Sequence, residues 1–516
     1  MSRFCRGLAS QIVILFAAGL LAAPALANDE PRTGAIALAD DLFKDASRVA
    51  ARLAASHYSP PADDLPAVFR DLDYDGFRKL RPRPETMVWG ETGNAFAALP
   101  LPRGGIYHAP VALHFVAASG DITTRSVADF IDFIDYPQAS DAERDDLGMS
   151  GWRAITRPGI AGEGYEFAVF QGASYFRAVG AGGVYGVSAR ALAIDTGSSA
   201  GEEFPRFTDF WIFEPQTDDA NLSVIALADS PSAASAYRFT LTPGATAVID
   251  VQADIHPRTD IAEAGLAPLS SMFLHAPADP HARMDDRPEV HDSDGLAIVL
   301  ANGERIWRPL ANPAHVQVSE FTGAPAGFGL QQRQRAPDAY ADAEAQYERR
   351  PDVWIEPQGD WGSGSVRLLE IPTADEYADN IAAFWRPADA WRAGEVQSFA
   401  YRLHWASHVQ APATGRVVAA QVAELAAVDA ASETAAQRFT ISFSGDTDLA
   451  ATALRPDVWS TGGAISNISL TTEAGGIARL TFDLDPGAEQ QIELHAALTD
   501  EFHQQTETWL FRWTPE

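Results

Sequence analysis

The sequence predicts an all-β protein in more than one domain, on three observations. The chain has 516 residues, well beyond the ~150 that one domain usually takes. Short runs rich in Phe, Tyr, Val, Ile and Trp alternate with Gly, Pro, Asp and Asn clusters, as at 111–116, 237–241 and 399–405. No repeat of 20–50 residues occurs, which disfavours a propeller or solenoid.

The elements follow in chain order. Arg3 and Arg6, an apolar run from Ile12 to Leu21 and the Ala25-Leu26-Ala27 site make a secretory signal peptide over residues 1–27, cleaved after Ala27. Export points to a bacterial periplasm. Leu38, Leu42, Ala46, Val49 and Leu53 recur at helical spacing, so 38–55 is expected as an amphipathic helix stopped by Ser59-Pro60-Pro61. A β-rich domain is assigned to 28–407. Within it the glycines of 180–186 lack a phosphate-loop lysine and read as a strand-to-strand turn. A second helix is expected over 337–349, with Tyr340, Ala343 and Tyr347 on one face. A short polar linker is placed at 408–415. Beyond it, 416–516 shows simple period-two strands, such as Phe439, Ile441 and Phe443, or Trp509, Phe511 and Trp513. Several short strands in a domain of that length predict a small immunoglobulin-like sandwich.

Composition narrows the function. The chain is 46% hydrophobic and 21% charged, as a soluble globular protein is. Its net charge is −32, and loss of Arg3 and Arg6 with the signal peptide makes it −34. Nucleic acid is not expected as a partner, because a polyanion would be repelled. Cys5, the single cysteine, lies in the signal peptide, which excludes disulfide scaffolds and thiolate chemistry. No nucleotide loop, HExxH helix or G-x-S-x-G elbow is present, and no metal or cofactor is expected. The 12 Trp, 12 Tyr and 27 Phe could fill β-rich cores or offer flat faces to sugars.

Two acidic clusters could carry chemistry. In 287–296, Asp292, Asp294 and His291 precede an apolar run, although either aspartate could simply form an Asx turn before Gly295. In 370–380, Glu376, Asp375 and Asp379 would share one side of a helical turn, and Thr373 with Glu376 fits a capping box. Crowded carboxyl groups raise at least one pKa, as a general acid requires. Glycoside hydrolysis needs one protonated and one ionised carboxyl group across the scissile bond.

Longer motifs add a resemblance. Residues 172–178, 192–197, 201–207, 287–296, 350–357 and 379–385, in this order, resemble the periplasmic glucan biosynthesis family of OpgG and OpgD (MdoG and MdoD). The resemblance covers most of 40–407; the C-terminal hundred residues match mainly at Glu507-Thr508-Trp509. It implies a large N-terminal galactose-mutarotase-like β-sandwich and a role in making osmoregulated periplasmic glucans, whose backbone is β-1,2-linked glucose. It implies an anomer-inverting β-1,2-glucanase or transglycosylase, with Asp379 as general acid, Asp292 as general base and Glu376 lining the site. The signal lacks a twin arginine, which favours the OpgG side, and Asp294 stands as a substitute base. Inversion then predicts catalytic carboxyl groups at least ~6.5 Å apart. Tyr347, Trp354, Trp361 and Trp385 are the candidates for sugar stacking. The expected partners are β-1,2-glucan and an inner-membrane glucan glucosyltransferase, with a homodimer left open. A non-catalytic carbohydrate-binding factor that holds nascent glucan is the alternative.

Overall fold

A computed structural model describes residues 34–90, 93–157, 164–279, 286–408, 415–425, 436–445, 449, 453–473, 476–501 and 503–515. The expected signal peptide and most of the expected linker lie outside them. The fold is all-β. A ten-stranded sheet faces a fourteen-stranded one, and Phe170, Phe176, Phe207, Phe210 and Phe239 interlock between the two. Strand periodicity sets this up. In Ala247–Pro257 every second side chain is buried and those between are half-buried or exposed, as one face of a pleated strand requires.

The amphipathic helix spans Gly34–Ala54. It lies on the outer face of the larger sheet, where Ala39, Ala46 and Ala50 are buried against Ile225, Leu227, Ala234 and Ala236. Small residues on that helical stripe let it approach the strands closely. The second expected helix does not form. One turn, Pro337–Tyr340, ends where Ala341 takes a left-handed backbone (φ 54°), and Gln346 does the same (φ 48°) before the short turn Tyr347–Arg349. Between them the Asp342 carboxylate accepts from the Glu344 and Ala345 amides at 3.1 and 2.9 Å, an arrangement that competes with helix continuation. Tyr340 and Tyr347 still meet, with ring centroids 5.7 Å apart, through the loop rather than along a helix face.

The C-terminal strands build a second sandwich. A four-stranded sheet, in the order Arg416–Glu424, Gln437–Ser444, Ile477–Asp485, Ala464–Glu473, packs on Arg455–Ser460, Ile492–Thr499 and Thr508–Trp513. Phe439, Phe482, Trp509 and Phe511 form its core. The two sandwiches are also joined directly. Thr508–Trp513 pairs in parallel with Arg305–Pro309, Ile306 opposite Thr508 and Trp307 opposite Trp509, so the larger sheet runs through both. Trp307 and Ala297 accordingly belong to the C-terminal core.

Candidate functional site

The site grows out of strand alternation in the smaller sheet. In Glu166–Gln171 and Tyr175–Ala178, Phe170 and Phe176 turn inward, while Val169, Gln171, Tyr175 and Arg177 turn outward. The outward set floors a cavity of about 440 Å³, walled by Ile106, Tyr107 and Asp379. Burial pushes the Tyr107 and Tyr175 phenols above their ordinary values, so both are hydrogen-bonding hydroxyls at neutral pH.

Asp379 ends the loop that enters strand Ile381–Pro387. That loop is not helical, and the Thr373–Glu376 capping box is not made. The Thr373 hydroxyl instead accepts from the Asp375 amide at 3.0 Å, and the Asp375 carboxylate accepts from the Tyr377 amide at 2.9 Å. Two buried or half-buried asparagines fix its ends. Asn380 pairs with both backbone groups of Phe273, at 2.8 and 2.9 Å, and Asn312 does the same for Thr373, at 2.9 and 2.8 Å. Asp379 therefore reaches the cavity from an anchored backbone, with Arg177 Nη2 at 3.8 Å from its carboxylate.

Asp292 lies behind that wall. Its amide donates to the Met272 carbonyl at 2.9 Å, and its carboxylate pairs with Arg350, whose guanidinium also sits 4.4 Å from the centre of the Tyr347 ring. Burial pushes the Asp292 carboxyl up; Arg350 and Arg177 oppose that shift, and the Asp379 charge adds to it. Residues 87 positions apart in sequence thus share one electrostatic environment, with Arg177 common to both. Asp292 is nearly buried, so it can serve a solvent molecule only through an intervening hydroxyl or water. Glu376 belongs to the same neighbourhood: its carboxylate accepts from the Tyr347 hydroxyl at 3.1 Å and pairs with Arg287 at 2.8 Å.

The other sequence candidates fall elsewhere. His291 is fully buried, held by Gln332 at 2.8 Å and Glu289 at 2.9 Å and stacked on Phe273, so it is a core histidine out of a ligand's reach. Asp294 faces a separate cavity of about 110 Å³ between the two sandwiches, with Glu289 and Arg333 in its lining. One Asp294 oxygen accepts from the Arg333 and Gln334 amides, both at 3.0 Å, and the other has no hydrogen-bond partner. Trp361 and Trp385 pack on each other in the main core, and Trp354 packs against the C-terminal core, so none of the three lines the Asp379 cavity. Tyr347 has a buried ring that packs on Arg350, and its hydroxyl donates to Glu376, so its ring face is not open to a sugar. Large apolar rings in a two-sheet protein are drawn first to the interior.

Sequence reasoning missed Tyr107, Tyr175, Arg177, Arg350 and Arg287. Tyr175, Arg177 and Arg350 lie inside the long motifs, and Arg287 opens one of them. The signal available was the alternation of polar residues with Phe176 in Tyr175–Ala178, which marks an outward polar face on a buried strand.

Comparisons with known proteins identify the family of the chain. The model of the family described as "Periplasmic glucan biosynthesis protein, MdoG" matches residues 42–513. A "Glucans biosynthesis protein G" of Shewanella sp. (strain W3-18-1) is 42% identical over 470 residues, covering 90% of this chain and 86% of its own. "Glucans biosynthesis protein G 1" of Shewanella oneidensis is 41% identical over 483 residues, with the same coverage. A solved polysaccharide lyase is 9% identical with a TM-score of 0.17, covering 64% of this chain and 40% of its own, too slight a likeness to bear on fold or function. This chain, with its motifs in order and matched almost end to end, belongs to the MdoG family of periplasmic glucan biosynthesis proteins.

Proposed function

We propose that this protein is exported to the periplasm and processes osmoregulated periplasmic glucans there, as an anomer-inverting β-1,2-glucan hydrolase or transglycosylase. The observation that carries the reading is the pairing of a cavity-facing carboxyl group, Asp379, with a buried one, Asp292, close enough for their charges to interact. Asp379 protonates the leaving glycosidic oxygen. The attacking water, or the acceptor hydroxyl in transglycosylation, approaches the anomeric carbon from the other face and passes its proton to Asp292 along a hydroxyl relay. Arg177 then faces the carboxylate that Asp379 has become, and Arg350 holds Asp292 in place. Gln171, Tyr107 and Tyr175 supply hydrogen-bonding groups for sugar hydroxyls.

The burial of Asp292 and its ion pair with Arg350 favour a second reading, a non-catalytic factor that holds nascent glucan for a membrane glucosyltransferase. One experiment separates them: purified protein is incubated with linear β-1,2-glucan while product size and binding are both followed. Turnover that disappears in Asp379→Asn and Asp292→Asn while binding persists supports the enzyme. Binding by the wild type with no new reducing ends and no cyclic product supports the holding role.

A further inference from the structure

Among the described residues, the two most exposed large apolar side chains are one that lines the Asp379 cavity and one two residues from Asp379 in the chain. Tyr377 is 88% exposed and Ile106 is 87% exposed. Ile106 lines the Asp379 cavity, and Tyr377 lies two residues from Asp379, within about 7 Å along the backbone. Neither is on a loose tip. Ile106 caps a tight turn closed by mutual hydrogen bonds between Gly104 and Tyr107 at 3.0 and 2.9 Å. Gly105 at φ 56° allows that turn, and its amide donates to the Phe69 carbonyl at 3.2 Å. Tyr377 rides on the loop that Asn312 and Asn380 pin at both ends.

An apolar side chain held rigidly in water is pre-organised for an apolar surface it has yet to meet. Ile106 lines the cavity and Tyr377 stands two residues before its wall residue Asp379; the cavity's polar groups, Asp379, Arg177, Gln171 and Tyr107, suit a polyhydroxylated ligand. A glucosyl ring offers both surfaces, a C–H face and a hydroxyl rim. Resting on the function proposed above, we propose that Tyr377 and Ile106 are outer subsite contacts, each laid against a glucosyl ring of a β-1,2-glucan chain that runs out of the cavity.

The test is calorimetric binding of linear β-1,2-gluco-oligosaccharides of graded length to the full chain. Tyr377→Ala is expected to weaken binding of long oligomers about tenfold, the loss of roughly one aromatic contact, and to leave the disaccharide unaffected. Tyr377→Phe keeps wild-type affinity, and Ile106→Ala shows a smaller loss with the same length dependence. Trp459→Ala, an exposed aromatic of the C-terminal sandwich, serves as control and binds as the wild type does. Equal affinity of wild type and Tyr377→Ala at every length overturns the subsite while the function stands. A change of self-association in Tyr377→Ala with sugar affinity intact overturns it in favour of a protein contact. Absence of binding by the wild type overturns the functional reading, and this inference with it.

Discussion

In the proposed reaction Asp292 and Asp379 take different parts because their surroundings differ. Asp379 faces the cavity with Arg177 beside it; Asp292 is buried against Arg350. A general acid contributes about 10²- to 10⁴-fold, so Asp379→Asn should lower kcat by about a thousandfold with little change in sugar affinity, as steady-state rates and calorimetry would show. Arg350→Ala leaves the Asp292 charge buried without its cation, at a cost of about 3–5 kcal/mol in chemical denaturation. Adding Asp292→Asn to that variant should recover most of the loss; failure to recover it would show that Arg350 acts through other contacts. Asp294 gives a pH test. Burial pushes its carboxyl above the ordinary 3.8, so the folded state holds this proton more tightly than the unfolded chain does. Its contribution is fully present below that value and is lost as pH rises toward the folded pKa. Asp294→Asn should therefore gain in melting temperature relative to wild type between pH 4 and pH 7, and a constant gap would contradict this. Asp292, Asp379 and Glu376 could be named as candidates from the sequence because their motifs are contiguous, and the structure brings them into one neighbourhood. Arg177 and Arg350 were harder to find, since an arginine declares a role only once its carboxylate partner is in place.

Elements were legible where a single period governs them. The helix Gly34–Ala54 and the strand Ala247–Pro257 each follow one repeat, and the sequence reading found the helix to within a few residues. The segments 337–349 and 370–380 carry helical spacing too, but short polar side chains there bond to nearby backbone and turn the chain into loops. The second of these loops carries Asp379, so the proposed function makes its anchors a test. Asn380→Ala leaves both backbone groups of Phe273 buried without their partners, at about 1–3 kcal/mol each. It should lower thermal stability and reduce turnover together. A variant that loses stability and keeps full turnover would show that the loop holds its shape without Asn380.

At the scale of the whole molecule, the all-β class and the family were legible, and the continuity of the two sandwiches was not. No local pattern says that Trp307 pairs beside Trp509, because a parallel pairing between strands about two hundred residues apart leaves no periodic trace. Arg333 reinforces that junction. It makes two bonds to Glu507, at 2.7 and 2.8 Å, and lies 3.4 Å from the centre of the Trp307 ring. Arg333→Ala should cost about 3–5 kcal/mol and split a single calorimetric unfolding transition into two; one unshifted transition would contradict a coupled junction. The proposed reaction needs a proton donor and a proton acceptor on opposite faces of one glycosidic bond. The most direct measurement is proton NMR of the first products released from linear β-1,2-glucan, taken before mutarotation. An inverting enzyme releases the new anomeric centre first in the α form. An initial β product, or no cleavage or transfer at all, would contradict the proposed reaction.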